Sequence, residues 1–257
     1  MNLFKKCLIF LLLVLNSNFI FSQDNEIGII EHLSDSIAED IYFINETYDT
    51  VYITQLIDKP TVITMVYFRC PGICSPLLGG VAEVIDRCDL LLGKDYQVIT
   101  ISFDPDENPA MAKEKKINYL TQVEKKIDEK SWIWLTGNEE NIKKLTQTIG
   151  FNYKKQGNEY IHTAGIIILN SQAKIARYLY GTYFIPKDLE MAIDEAAQNK
   201  FNPSVRKMQK YCFTEEPEGR TYISVINKIT GGVVLLAALI FFGVLIIKKK
   251  KNDNTTS

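Results

Sequence analysis

Histidine is close to absent: the 257-residue chain holds two, His32 and His162. Any chemistry that needs an imidazole must use one of them. A dominant charge is lacking too. Lys and Arg number 29 against 31 Asp and Glu, and neither a basic stripe nor a zinc-finger spacing occurs, which argues against nucleic acid as a partner. Internal repeats and low-complexity tracts are also missing. One globular domain with membrane segments fits a chain of this length.

Long apolar runs occur at the two ends. Residues 1–22 carry Lys5 and Lys6, then the run Leu8–Leu15, and read as a secretory signal peptide with a cut near Ser22. The uncharged stretch Ile229–Ile247 reads as a transmembrane helix, since 19 residues rising ~1.5 Å each span the core of a bilayer. Lys248–Lys251 follow it directly and mark residues 248–257 as a cytoplasmic tail. The expected organisation is therefore an exported domain over 24–212, a juxtamembrane linker over 213–228 and one C-terminal anchor. Such a chain would cross one membrane once, with its domain on the exported side and its C-terminus cytoplasmic. Residues 23–247 hold 30 acidic and 23 basic residues, so no polyanionic ligand is indicated.

Between these ends, strand and helix patterns alternate. Ile41–Ile44 and Val51–Ile53 read as a β-hairpin, and Thr61–Phe68 as a buried strand. A helical stripe starts at Pro76 and runs through Leu77, Leu78, Val81, Val84, Ile85, Cys88 and Leu92. Tyr96–Phe103 reads as a second buried strand. Pro109 opens a helix expected to turn Ile117, Leu120, Val123 and Ile127 inward. Trp132–Leu135 is a short strand. Asn138 is a candidate N-cap for a helix burying Ile142, Leu145 and Ile149. Phe151–Lys154, Tyr160–Leu169 and Lys174–Tyr180 bring the chain back as strands. Pro186 starts a helix, and Asn199–Tyr211 is expected to form another. His32, beside Glu31, is expected to be exposed. The sum is an α/β domain with a mixed central sheet flanked by helices.

The chemistry concentrates where Thr61–Phe68 ends, at Cys70-Pro71-Gly72-Ile73-Cys74. Two thiols between a strand and a helix N-terminus sit where thiolates are favoured. Three readings follow: a structural disulfide, dithiol–disulfide exchange, or a metal site. Exchange proteins commonly space their thiols C-x-x-C, whereas this spacing is C-x-x-x-C. A metal site needs a nitrogen ligand, and His162, at the head of an apolar strand, can supply one. Two sulfurs and one imidazole form a soft set suited to Cu(I) and able to hold Cu(II). Cys88, on the apolar stripe, reads as a buried inert thiol, about 21 Å along the helix from Cys74, too far for a disulfide.

VYFRCPGICSPL, SFDPDENP, WIWLTG and IHTAGIIILNSQAKIARYLYG, in this order and spacing, resemble the SCO/SenC family of copper-binding, thioredoxin-like proteins over about residues 27–200. The resemblance implies a thioredoxin-like fold, with Cys70, Cys74 and His162 as copper ligands and Asp104 as a nearby carboxylate that influences the site. It implies service to the CuA centre in subunit II of cytochrome c oxidase, as a copper chaperone or as a keeper of that centre's thiols in the reduced state. Other exported copper chaperones or thiol reductants are further implied partners. The C-terminal anchor and KYCF, which contains Cys212, resemble one bacterial branch. The chain departs from the family pattern at Gly72, at Ile161 where many members carry aspartate, and at Pro76, displaced by Ser75. Thioredoxins carry a cis-proline before the strand facing the dithiol; Ile161–Gly165 has no proline, which weighs against a general oxidoreductase.

Overall fold

In the computed structural model, which describes residues 27–204, strands and helices follow one another largely in the expected order. β1 (Gly28–Ile29), β2 (Tyr42–Asn45) and β3 (Thr50–Tyr52) lead through a single helical turn, α1 (Ile53–Leu56), to β4 (Thr61–Val66). Then come α2 (Cys74–Arg87), β5 (Gln97–Ser102), α3 (Pro109–Leu120), a short 3₁₀ turn and β6 (Trp132–Thr136). The chain closes with α4 (Glu139–Thr148), β7 (Phe151–Asn152), β8 (Lys154–Gln156), β9 (Glu159–Ile161), β10 (Gly165–Leu169), β11 (Ile175–Tyr180) and α5 (Pro186–Ala197).

Seven strands form one mixed sheet in the order β11-β10-β4-β5-β6-β2-β3. β4, β5 and β6 run parallel at its centre, and β10 joins β4 antiparallel with Ile166 opposite Thr64. Every residue of β4 and β5 is buried, as expected of strands covered on both faces. Their buried threonines are satisfied: Thr64 Oγ1 donates to Thr100 Oγ1 at 2.8 Å, which also accepts from Trp132 Nε1 at 2.9 Å. Two small ribbons, β1–β7 and β8–β9, lie outside this sheet.

Several expectations need correction. The strand at Thr61 ends at Val66; Tyr67 and Phe68 stay buried but belong to the turn. The next helix begins at Cys74, two residues before Pro76, because proline is tolerated in the first turn, where its missing N–H has no intrahelical partner. That helix stops at Cys88, so Leu92 lies beyond it. The helix opened by Pro109 ends at Leu120, and of the residues expected inward Leu120, Val123 and Ile127 pack partly buried against the core, whereas Ile117 is 53% exposed and Ala112, Lys116 and Tyr119 are buried. An ion pair between Lys116 and Glu46 allows the lysine inside. His32 is half-buried, with Nδ1 3.0 Å from the Thr148 carbonyl oxygen. The expected strand over 160–169 is broken at 162–164, and residues 199–204 are not helical.

The expected signal peptide, linker, anchor and tail, and Cys212, all lie outside the described residues. Among the described residues, no helix is long and apolar enough to cross a membrane.

Candidate metal centre

Two neighbouring elements build the site. β4 delivers the chain to the thiol turn, and β10, running the opposite way beside it, begins just after His162. Residues that follow β4 therefore meet residues that precede β10. Cys74 opens α2 and is buried; Cys70 sits in the preceding turn and is partly open to solvent.

One ligand atom each from Cys70, Cys74 and His162 lie within 4.8 Å of one another. Cys74 Sγ is 3.6 Å from His162 Nε2. The other imidazole nitrogen, Nδ1, lies 2.9 Å from the Thr163 carbonyl oxygen, to which it donates as the N–H tautomer. Nε2 then keeps its lone pair and faces the sulfurs. Such a carbonyl contact is the usual way a protein fixes a ligating histidine. Burial disfavours the imidazolium and lowers the His162 pKa, keeping the ring neutral, although the Thr163 carbonyl works the other way. Tyr67, Phe103 and Phe151 surround the ring, with centroids 5.8, 5.0 and 6.1 Å away.

The thiols differ. Burial pushes the Cys74 thiol far up, against the donation of the Tyr67 N–H to its sulfur at 3.5 Å. Burial also works against the Cys70 thiolate, but the backbone N–H groups of Cys74 and Gly72, with the Cys74 and Tyr67 side chains, outweigh it and lower its pKa. The Gly72 N–H reaches Cys70 Sγ at 3.4 Å. The pair is thus one accessible, acidified thiol beside one sheltered thiol. No disulfide joins Cys70 to Cys74, and Cys88 is a free, buried thiol as expected.

Asp104 is buried beside the site without being one of the three. Its Oδ2 accepts from Arg69 Nη2 at 3.0 Å and its Oδ1 from Tyr160 Oη at 3.2 Å, tying the thiol turn to the strand before His162. A groove of about 530 Å³ lies alongside, lined among others by Tyr67, Arg69, Pro71, Lys155 and Tyr160. Sequence reasoning missed Glu107, Arg69 and Tyr160. Asp104, Asp106 and Glu107 form one acidic run, and nothing in that run marks Asp106 as exposed and the other two as buried.

The family model described as SCO1/SenC matches residues 31–218. Among solved structures, a protein from Aquifex aeolicus VF5 is 25% identical, with 65% of this chain and 95% of that one covered at a TM-score of 0.59. Arabidopsis thaliana ScoI, solved with copper bound, is 21% identical over 63% of this chain and 99% of its own, at a TM-score of 0.52. BsSco, described as a member of the Sco family of cytochrome c oxidase assembly proteins with a disulfide switch, is 18% identical over 66% and 99%, also at 0.52. At these identities the last two establish the fold alone. No curated protein matches the chain.

Proposed function

The chain belongs to the SCO1/SenC family, and from that premise we propose that it is a membrane-anchored copper chaperone that assists assembly of the CuA centre in subunit II of cytochrome c oxidase. The observation that carries this reading is the convergence of Cys70 Sγ, Cys74 Sγ and His162 Nε2 from separate elements. Copper is cargo here, held and passed on. Two thiolates and a neutral imidazole suit Cu(I) by softness and can also hold Cu(II). Loading releases protons, because each thiol must ionise to bind. Cys70, partly open and acidified, is the ligand an incoming thiolate displaces first; Cys74 and His162 keep the ion until transfer completes.

The apolar leader, the run Ile229–Ile247 and Lys248–Lys251 support a single-pass protein of the inner membrane with its domain on the exported side. Anchoring confines donor and acceptor to one layer and raises their effective concentration. Exported copper chaperones and thiol reductants are the further partners this reading calls for.

The test is copper stoichiometry and the absorption spectrum of the reduced full-length chain, wild type against His162→Ala. One copper per chain in the wild type, with strong loss in the variant, is expected. Equal stoichiometry in the two defeats the S₂N site. A second reading, a tethered thiol–disulfide reductase acting on the partner's cysteines, draws on the contrast between the acidified Cys70 and the sheltered Cys74. Robust insulin reduction by copper-stripped protein favours that reading.

A further inference from the structure

The parallel ladder between β4 and β5 ends at Val66 opposite Ser102, closed by the Phe103 N–H on the Val66 carbonyl at 2.8 Å. Beyond it the chain turns toward α2, and the N–H groups of the buried Phe68 and of Arg69, where the chain reaches the surface, leave the ladder. Glu107 meets both. Its Oε2 accepts from Phe68 N at 2.7 Å and its Oε1 from Arg69 N at 2.8 Å. Ser102 Oγ donates to Oε2 at 2.6 Å, and Arg69 Nε lies 3.5 Å from Oε1. The Glu107 side chain is wholly buried.

A buried carboxylate persists only when its oxygens are satisfied, and here donors reach both. What they fix is the approach to Cys70. The Cys70 N–H donates to the Tyr67 carbonyl at 3.1 Å, so three successive backbone N–H groups leading to the first thiol are all held. On its other side, Pro71, Gly72 and Ile73 are exposed. From that side the Gly72 N–H reaches the Cys70 sulfur at 3.4 Å, whereas the contacts that hold the backbone leading to Cys70 come from upstream.

We propose that Glu107 is the positioning residue of the copper site: its carboxylate clamps Phe68 and Arg69 and thereby holds the Cys70 sulfur at chelating distance from Cys74 and His162. It touches no ligand atom and acts through the backbone. Glutamine is the discriminating substitution. It preserves shape but offers one acceptor oxygen, and turns an NH₂ group against a backbone N–H. The inference rests on the copper reading, so its test includes a probe that needs neither copper nor His162.

Reduced full-length chain is titrated with Cu(I) in competition with a chelator, and separately with a trivalent phenylarsenical, which requires two thiols within reach of one arsenic. Outer-shell partners of metal ligands contribute about 10–100-fold to affinity. E107Q is expected to lose that much for Cu(I), to bind the arsenical more weakly, and to melt below wild type because a buried backbone N–H loses its acceptor. The Cu(II)-saturated E107Q chain should show a shifted sulfur-to-copper charge-transfer band, which loss of stability alone leaves in place. H162A should lose copper affinity but keep the arsenical. Wild-type affinities for both probes in E107Q overturn the proposal, whatever its melting temperature. If the wild type takes no copper, the copper reading fails and the arsenical comparison alone decides Glu107. Should E107Q not fold, S102A removes one donor to the same carboxylate; a several-fold loss for both probes supports the clamp, and unchanged affinities overturn it.

Discussion

Gly79 and Gly80, adjacent in α2, should respond to alanine with opposite signs. A Cβ on Gly80 would lie 1.9 Å from the Thr182 carbonyl oxygen and 3.0 Å from its carbon, both backbone atoms of the loop after β11. At Gly79 the nearest atom is Gln122 Oε1, at 3.9 Å, an ordinary contact with a flexible side chain. Alanine gains about 0.8–1.0 kcal/mol over glycine in a helix interior, and at Gly79 that gain stands. Overpacking costs about 1–3 kcal/mol, sometimes more, and a rigid backbone obstacle places Gly80 at the upper end. G79A should then be ~1 kcal/mol more stable than wild type and G80A ~2 kcal/mol less. With about 2–4 °C per kcal/mol for a domain of this size, their melting temperatures should differ by roughly 6–12 °C. Thermal unfolding followed by circular dichroism reads this directly. Because α2 starts with Cys74, G80A should also weaken copper binding, and G79A should not. A G80A chain as stable as wild type would refute the close approach of α2 to this loop.

Alkylation of the reduced, metal-free chain at neutral pH should label Cys70 first, since its thiol is acidified and partly open while Cys74 is buried with its pKa raised; peptide mapping that finds Cys74 modified ahead of Cys70 contradicts this. Cys70→Ser and Cys74→Ser should each weaken copper binding strongly. Cys88→Ser should leave it intact at a stability cost of about 1–3 kcal/mol for a buried hydroxyl, and a copper defect in that variant would place Cys88 in the site. The Asp89 N–H donates to Glu190 at 2.8 Å and, with Lys187 and despite burial, holds its carboxyl below the ordinary value of 4.5. The stability this gives is present above that value and is lost as pH falls through the lower folded pKa. Denaturant unfolding at a series of acid pH values should therefore show a shallower loss in E190Q than in wild type, and identical slopes would remove Glu190 from the account.

The sheet was legible because β4 and β5 are continuous runs of β-branched and apolar residues, and a strand buried on both faces leaves that mark regardless of its neighbours. Asn138 was legible for a local reason: its side chain accepts from the Asn141 N–H at 2.9 Å, within one turn. The inward face of α3 was legible only in part, at Leu120 and not at Ile117. Lys116 lies inside because Glu46, seventy positions away, pairs with it, and its neighbour Ile117 is exposed instead. Glu107 escaped for the same reason. Its burial depends on backbone N–H groups at Phe68 and Arg69, thirty-eight and more positions earlier, and unpaired backbone leaves no trace in residue type.

His162 shows how far register alone can carry a site. The register of β10 against β4 places Ile166 opposite Thr64 and Ile167 opposite Ile63. Continued four residues past Ile166, the same antiparallel count brings position 162 opposite position 68, two residues before the first thiol. The strand pairing therefore brings the chain to the thiol turn, and residues 162–164, which leave the strand, carry the ring to the sulfurs. Its Nδ1 contact with Thr163 and the aromatic rings around it hold the ring there. A single residue inserted between His162 and Gly165 would lengthen the segment that joins the histidine to β10 and move its side chain away from the sulfurs. The inserted chain should keep the β10–β4 pairing, because the apolar run Gly165–Leu169 is untouched, and should lose copper while Cys70 and Cys74 still capture the phenylarsenical. Retained copper affinity in such a chain would mean that the length of this segment does not decide whether the imidazole reaches the sulfurs.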